Sequence, residues 1–158
     1  MAKKSITFTV NGTAIDLDVA PGEMLVDVLR GKLGLTGTKV GCREGECGVC
    51  SIILNGKLTC SCILPAMKAD HGTILTIEGL ERNGEMHLIQ KRFIEDGAIQ
   101  CGFCTPAMVL AGKALLDENP HPTREEIQLA ISGILCRCTG YQKIIKAIDS
   151  AAQAGELR

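Results

Sequence analysis

At 158 residues and 46% hydrophobic content, the chain can bury a core as one domain or as two small ones. Its net charge is −1, and neither half carries a basic excess: residues 1–80 hold eight basic and eight acidic side chains, residues 81–158 nine and ten. That balance argues against nucleic acid or an anionic membrane as partner. No apolar run approaches the roughly 20 residues of a transmembrane helix, and Met1 to Phe8 lack the apolar core of a signal peptide. The expected location is cytoplasmic.

The first elements read as strands. Ile6, Phe8 and Val10 alternate with polar residues, Asn11-Gly12 makes a hairpin turn, and Ile15, Leu17 and Val19 alternate back. Met24, Leu25, Val28 and Leu29 follow at helical spacing, up to Gly31 or Gly34. After a glycine-rich stretch, Ser51–Leu54 leads into Asn55-Gly56, a second hairpin signal, and Ile74–Ile77 reads as a closing strand. Two hairpins and a crossing helix point to a small, curved sheet with a helix packed on it.

From residue 85 the pattern turns helical. One helix runs from Met86 to Ile94 and stops near Gly97. Thr105-Pro106 has the form of an N-cap followed by proline at the first helical position. The segment behind it, Met108 to Leu116, contains one charge, Lys113, so that helix is expected to be buried on most sides. Asn119 to Pro122 break the chain. Thr123 with Glu126 forms a capping box for a third helix, and a fourth, beginning near Gly140, gathers Ile144, Ala147, Ile148, Ala151 and Ala152 on one face. The expected fold class is α+β: a sheet-bearing domain over 1–80 and a four-helix domain over 81–158.

Cysteine is the anomaly. Nine cysteines without a secretion signal favour metal or redox roles over disulfides. Cys42, Cys47 and Cys50 form Cys-x4-Cys-x2-Cys, the plant-type [2Fe–2S] spacing, in which one loop wraps an iron–sulfur rhomb and a fourth thiolate comes from elsewhere. Gly41, Gly45 and Gly48 interleave with these ligands and let backbone N–H groups approach the bridging sulfides. The fourth ligand is Cys60 or Cys62, two residues apart in an extended segment, and spacing does not choose between them. A second set pairs Cys101-x2-Cys104 with Cys136-x-Cys138, each pair beside a helix start whose partial positive charge offsets four thiolates. Here a four-cysteine zinc site is the alternative, although Cys-x-Cys is tighter than usual zinc spacing.

The runs Gly37-Thr38-Lys39-Val40-Gly41-Cys42, Gly45-Glu46-Cys47-Gly48-Val49-Cys50, Gln100-Cys101-Gly102-Phe103-Cys104-Thr105-Pro106 and Leu135-Cys136-Arg137-Cys138-Thr139-Gly140-Tyr141 resemble the iron–sulfur subunit of the molybdenum hydroxylases, the xanthine dehydrogenase, aldehyde oxidoreductase and carbon monoxide dehydrogenase family. The resemblance implies a β-grasp plant-type ferredoxin domain followed by a four-helix [2Fe–2S] domain, two clusters, and Cys62 as the fourth plant-type ligand, with Cys60 left as a small buried residue. It also implies a large partner subunit with a molybdenum–pterin cofactor of the molybdopterin cytosine dinucleotide type, and a medium subunit with FAD. Electrons would pass from molybdenum to the C-terminal cluster, then to the N-terminal cluster, then to FAD or another acceptor. Gln100 and Cys138 would lie beside the pterin. The sequence departs from the family pattern at Ala107, where glycine is usual, and at Ile134, where asparagine is usual.

Other polar residues carry less. Arg43, Glu44 and Glu46 read as solvated loop charges, and Arg137 reads equally as an interface or a surface residue. His71, His87 and His121 lie away from the cysteine pairs and read as surface or capping histidines, which argues against a Rieske centre. No Ser-His-Asp or paired-carboxylate arrangement stands out, so no residue of this chain is assigned as a catalytic acid or base. Two other readings compete with the electron-transfer subunit: a free-standing two-cluster ferredoxin, which would show a stronger steering charge, and a zinc-stabilised interaction module.

Overall fold

In the computed structural model, which describes residues 2–155, the alternation of residues 4–19 becomes an antiparallel hairpin. Strand β1 (Lys4–Val10) pairs with β2 (Thr13–Val19), with Ile6 opposite Leu17 and Phe8 opposite Ile15. The second hairpin joins β3 (Ser51–Leu54) to β4 (Lys57–Cys60). Both turns are Asn-Gly with positive φ at each residue, which matches the twist of the flanking strands. Strand β5 (Thr73–Leu75) enters the middle of the sheet, parallel to β1 and antiparallel to β3, giving the order β2-β1-β5-β3-β4. The closing strand stops earlier than expected, because β1 ends at Val10. Thr76 is instead held by the Asn11 side chain, which accepts from its N–H and donates to its hydroxyl, both at 2.9 Å. A 3-10 turn over Ile77–Leu80 then leads to the helices.

The expected helix after Met24 is shorter and wider than its spacing implied. A single α turn, α1 (Leu25–Asp27), opens into a π-type turn over Val28–Lys32, closed by Leu33 N–H donating to the Val28 carbonyl at 3.1 Å. Its apolar face still does what the spacing required. Leu25, Val28 and Leu29 pack under the sheet with Ile6, Phe8, Ile52 and Ile74.

The helices are α2 (Leu88–Glu95), α3 (Thr105–Glu118), α4 (Arg124–Ile131) and α5 (Gln142–Gln153). The Thr123–Glu126 capping box is present on α4, and α2 carries a second one built from His87 and Gln90. The N-cap of α3 is Cys104 rather than Thr105, so Thr105 and Pro106 are its first two helical residues. All five residues expected on one face of α5 are buried, and Lys146 ties α5 to the end of α2 through Asp96 at 2.8 Å. The two departures from the family pattern, Ala107 and Ile134, are both buried.

Helix α3 is buried on most sides because it meets the sheet as well as the other helices. Val49, Ile53 and Leu80 belong to the same core as Met108, Leu110, Ile127 and Ile148. Strand β3 is therefore covered on both faces, with Ile52 in the sheet's own core and Ile53 under α3. The tightest point of this junction is Gly48, at φ +66°, where a Cβ would stand 2.1 Å from the Gly133 carbonyl oxygen. Gly48→Ala is expected to cost about 3 kcal/mol or more, because it adds backbone strain to a clash with a backbone atom. Chemical denaturation monitored by circular dichroism checks this, and an unchanged midpoint would refute the packing described.

Candidate metal centre

The loop from Gly41 to Cys50 is held from outside and threaded from within. Arg43 adopts φ +61° and donates to both carboxylate oxygens of Asp27 at 3.1 and 2.8 Å, tying the loop to α1. This loop charge is thus paired, although its side chain remains half exposed. The Arg43 hydrogen bond holds the Asp27 carboxyl below its ordinary range. Inside the loop, the N–H groups of Glu44 and Cys47 point at Cys42 Sγ at 3.3 and 3.4 Å, and Cys42 N–H points at Cys47 Sγ at 3.4 Å. These donations, from Glu44 first, lower the Cys42 thiol to about 6. A Cβ on Gly41 would lie 2.7 Å from Cys47 Sγ, so glycine is what admits the thiol there.

Cys50 and Cys62 are buried side by side with Val26, and burial pushes both thiols up. Cys62 is also within electrostatic reach of Cys42. The strand ends at Cys60, so the two-residue repeat does not extend to Cys62. Cys60 Sγ lies 3.9 Å from both the Ser51 hydroxyl and the Gly45 carbonyl, and it is half-buried.

The four C-terminal cysteines converge although two helices and a long loop separate them in sequence. Together with Cys47 and Gly41 they line a cleft of about 260 Å³. Cys101 Sγ and Cys138 Sγ are 3.5 Å apart and exposed. Two thiolates on one tetrahedral metal would stand ~3.8 Å apart, given M–S bonds near 2.3 Å. Cys104, the N-cap of α3, is buried and pushed up to about 12 by that burial, with Cys136 as its neighbouring thiol. Burial raises Cys136 too, but hydrogen bonds from the Thr139 side chain and from backbone N–H groups hold it below its ordinary value. The backbone N–H of Phe103 is the main reason that Cys101 is lowered. Each site thus offers four thiols in two adjacent pairs with N–H donors aimed at sulfur, a donor set that fits a two-iron cluster better than a single ion. Among the described residues, no group of three or more His, Cys, Asp or Glu is arranged to hold one metal ion.

The two sites touch. The Leu135 N–H donates to the Cys47 carbonyl at 3.0 Å, so a residue adjoining Cys136 is bonded directly to a cysteine of the other set. Gln100 is exposed beside Cys101, and Arg137 is exposed at the rim of the cleft. The histidines keep their distance: His87 caps α2 by accepting from the Ile89 N–H at 3.3 Å, while His71 and His121 are exposed.

A model of a 2Fe-2S iron-sulfur cluster binding domain matches residues 8–76, and a model of a [2Fe-2S] binding domain matches residues 76–149. The nicotinate dehydrogenase small FeS subunit of Eubacterium barkeri is 50% identical over 97% of this chain and 98% of its own. The chain belongs to the small iron–sulfur subunits of the molybdenum hydroxylases. Among solved structures, quinoline 2-oxidoreductase of Pseudomonas putida 86 superimposes with a TM-score of 0.91 at 42% identity, covering 98% of both chains. The aldehyde oxidoreductase of Desulfovibrio desulfuricans gives 0.92 at 43% identity over 96% of this chain, but over 17% of its own, so the same unit there forms part of a longer polypeptide. Like its relatives, this small subunit serves an oxidoreductase complex without itself holding the substrate site.

Sequence reasoning missed the residues that support the cysteines. Asp27 lies sixteen positions from Arg43, and its role depends on a left-handed backbone at an arginine. Thr139 and Tyr141 stood inside a quoted motif, yet their partners became visible only through the left-handed φ of Tyr141, +66°. The uneven thiols make a prediction for metal-free protein. Cys42 should be alkylated by iodoacetamide first, its rate climbing as pH rises through about 6 and then levelling, because thiolate is the nucleophile. Cys104 should stay inert up to about pH 9. Peptide mass mapping across pH checks both, and equal labelling of the two would contradict the arrangement.

Proposed function

We propose that this small subunit carries two [2Fe–2S] clusters and relays electrons from a molybdenum–pterin site on a large partner subunit to FAD on a medium subunit, or to another acceptor. Cys42, Cys47, Cys50 and Cys62 hold the first cluster, and Cys101, Cys104, Cys136 and Cys138 hold the second. The division between the two binding domains falls near residue 80, giving 1–80 and 81–158, although Met1 and residues 156–158 lie outside those described here. The observation that carries the reading is the shared cleft, lined by all four C-terminal cysteines and by Cys47.

When bound, the clusters supply one-electron redox chemistry. The chain's own residues hold and orient them, and they provide the shortest bonded link between them. That link runs from Cys136 through Leu135 N–H to the Cys47 carbonyl. Cys101 and Cys138 form the exposed edge of the second site, where a partner can approach. Gln100 and Cys138 are placed against the pterin by similarity to the family. Ile99, Phe103 and Leu135 are exposed around the same edge, and an apolar rim of this kind suits a protein interface. Relatives of 42 to 50% identity serve enzymes named for nicotinate and quinoline, so the shared unit is the one that does not select substrate. No described helix is long and apolar enough to cross a membrane, which agrees with a cytoplasmic complex.

Anaerobic purification tests this reading. The protein should be brown, hold iron and acid-labile sulfide in equal amounts, and co-purify with a large molybdenum-containing chain. Colourless protein with stoichiometric zinc would refute the clusters. Brown protein that ran alone would favour the free ferredoxin.

A further inference from the structure

Three residues close a hydrogen-bonded circuit around one cysteine of the second site. The Cys136 N–H donates to Tyr141 Oη at 2.9 Å, and the Tyr141 N–H donates to Thr139 Oγ1 at 3.2 Å. Thr139 Oγ1 in turn lies 3.0 Å from Cys136 Sγ. Counting hydrogens fixes the sense of that last contact. A hydroxyl has one hydrogen, and the Thr139 oxygen already accepts from Tyr141, so its hydrogen is free for sulfur. A metal-bound thiolate has none to give, so Thr139 must be the donor.

The circuit is held at a cost. Tyr141 sits at φ +66° directly after Gly140 at φ +62°, and a non-glycine residue in this region carries about 1 kcal/mol or more of strain. Both backbone donations involving Tyr141 depend on that conformation. Thr139 is also singular. Among the described residues it is the one side-chain hydroxyl bonded to any of the eight proposed ligand thiols, since the contacts to Cys42 and Cys47 come from backbone N–H groups.

We propose that Thr139 is a positioning residue that raises the reduction potential of the C-terminal cluster by donating its hydroxyl hydrogen to the Cys136 thiolate, with Tyr141 aiming the hydroxyl. The inference rests on the two-cluster reading above. Adding one electron to a cluster adds one negative charge, and a donor on the ligand sulfur stabilises that charge, so the reduced form is favoured. The effect is local. It acts at the site with the exposed edge, where electrons arrive from the partner, and it makes that site the better acceptor.

The test is an EPR-monitored redox titration of the purified holoenzyme carrying Thr139→Val, Thr139→Ala or Thr139→Ser, with iron counted in each. In Val and Ala the midpoint potential of the C-terminal cluster should fall, while that of the N-terminal cluster stays at the wild-type value. Ser keeps the hydroxyl and should restore the C-terminal potential. Three outcomes overturn the proposal: a wild-type potential in Val or Ala at full iron, an equal fall at both clusters, or a fall in Ser as large as in Val. Loss of the C-terminal cluster from both Val and Ala overturns it as well, since the bond would then hold the ligand rather than set its charge. Wild-type enzyme without iron at this site would instead refute the two-cluster reading, so the two failures are distinct.

Discussion

One hydrogen bond joins the two halves of this molecule where it matters most, from the Leu135 N–H to the Cys47 carbonyl at 3.0 Å. It forms because Gly48 lets the first cysteine loop press against the Gly133 backbone, a distance at which no side chain fits. The bond sets the register between the segment carrying Cys136 and Cys138 and the loop carrying Cys42, Cys47 and Cys50. The shared core of Val49 and Ile53 with α3 supports it from behind. Without that contact the two thiol sets would be independent sites on one chain. With it, they face a common cleft.

The thiols on either side of the junction are unequal, and the inequality has a physical source. Burial raises Cys50, Cys62 and Cys104, whereas backbone donors lower Cys42 and Cys101. A bound cluster requires every ligand to be a thiolate, so the buried members release their protons only when metal takes their place. Cluster binding is therefore coupled to the folded packing around Cys50, Cys62 and Cys104. The more accessible thiols can form thiolates first and start the capture.

Much of the fold was legible because local chemistry decided it. Asn-Gly at 11–12 and 55–56 permits few other turns between apolar strands, and Thr123 with Glu126 caps a helix in almost any context. The consecutive Ile52 and Ile53 in β3 also held information, since unbroken apolar residues in a strand mean that both faces are buried. What covers the second face was not legible, because α3 comes from fifty residues further along. The stretch after Met24 was misjudged in length, because its i to i+5 closure depends on the loop that follows it. Thr105 was taken as the cap of α3, and Cys104 holds that place because its side chain is turned into the cysteine cluster. The cysteine sets were legible from spacing. Their supporting contacts were not, since Arg43 and Tyr141 adopt left-handed backbones that sequence gives no reason to expect.

The central claim is that the two cysteine sets form adjoining cluster sites across the Cys47–Leu135 bond. The most direct measurement is the EPR spectrum of the fully reduced wild-type protein, recorded anaerobically. Adjoining sites predict two [2Fe–2S] signals, each split by magnetic coupling to the other. Two unsplit signals, or the signal of a single cluster, would contradict the account.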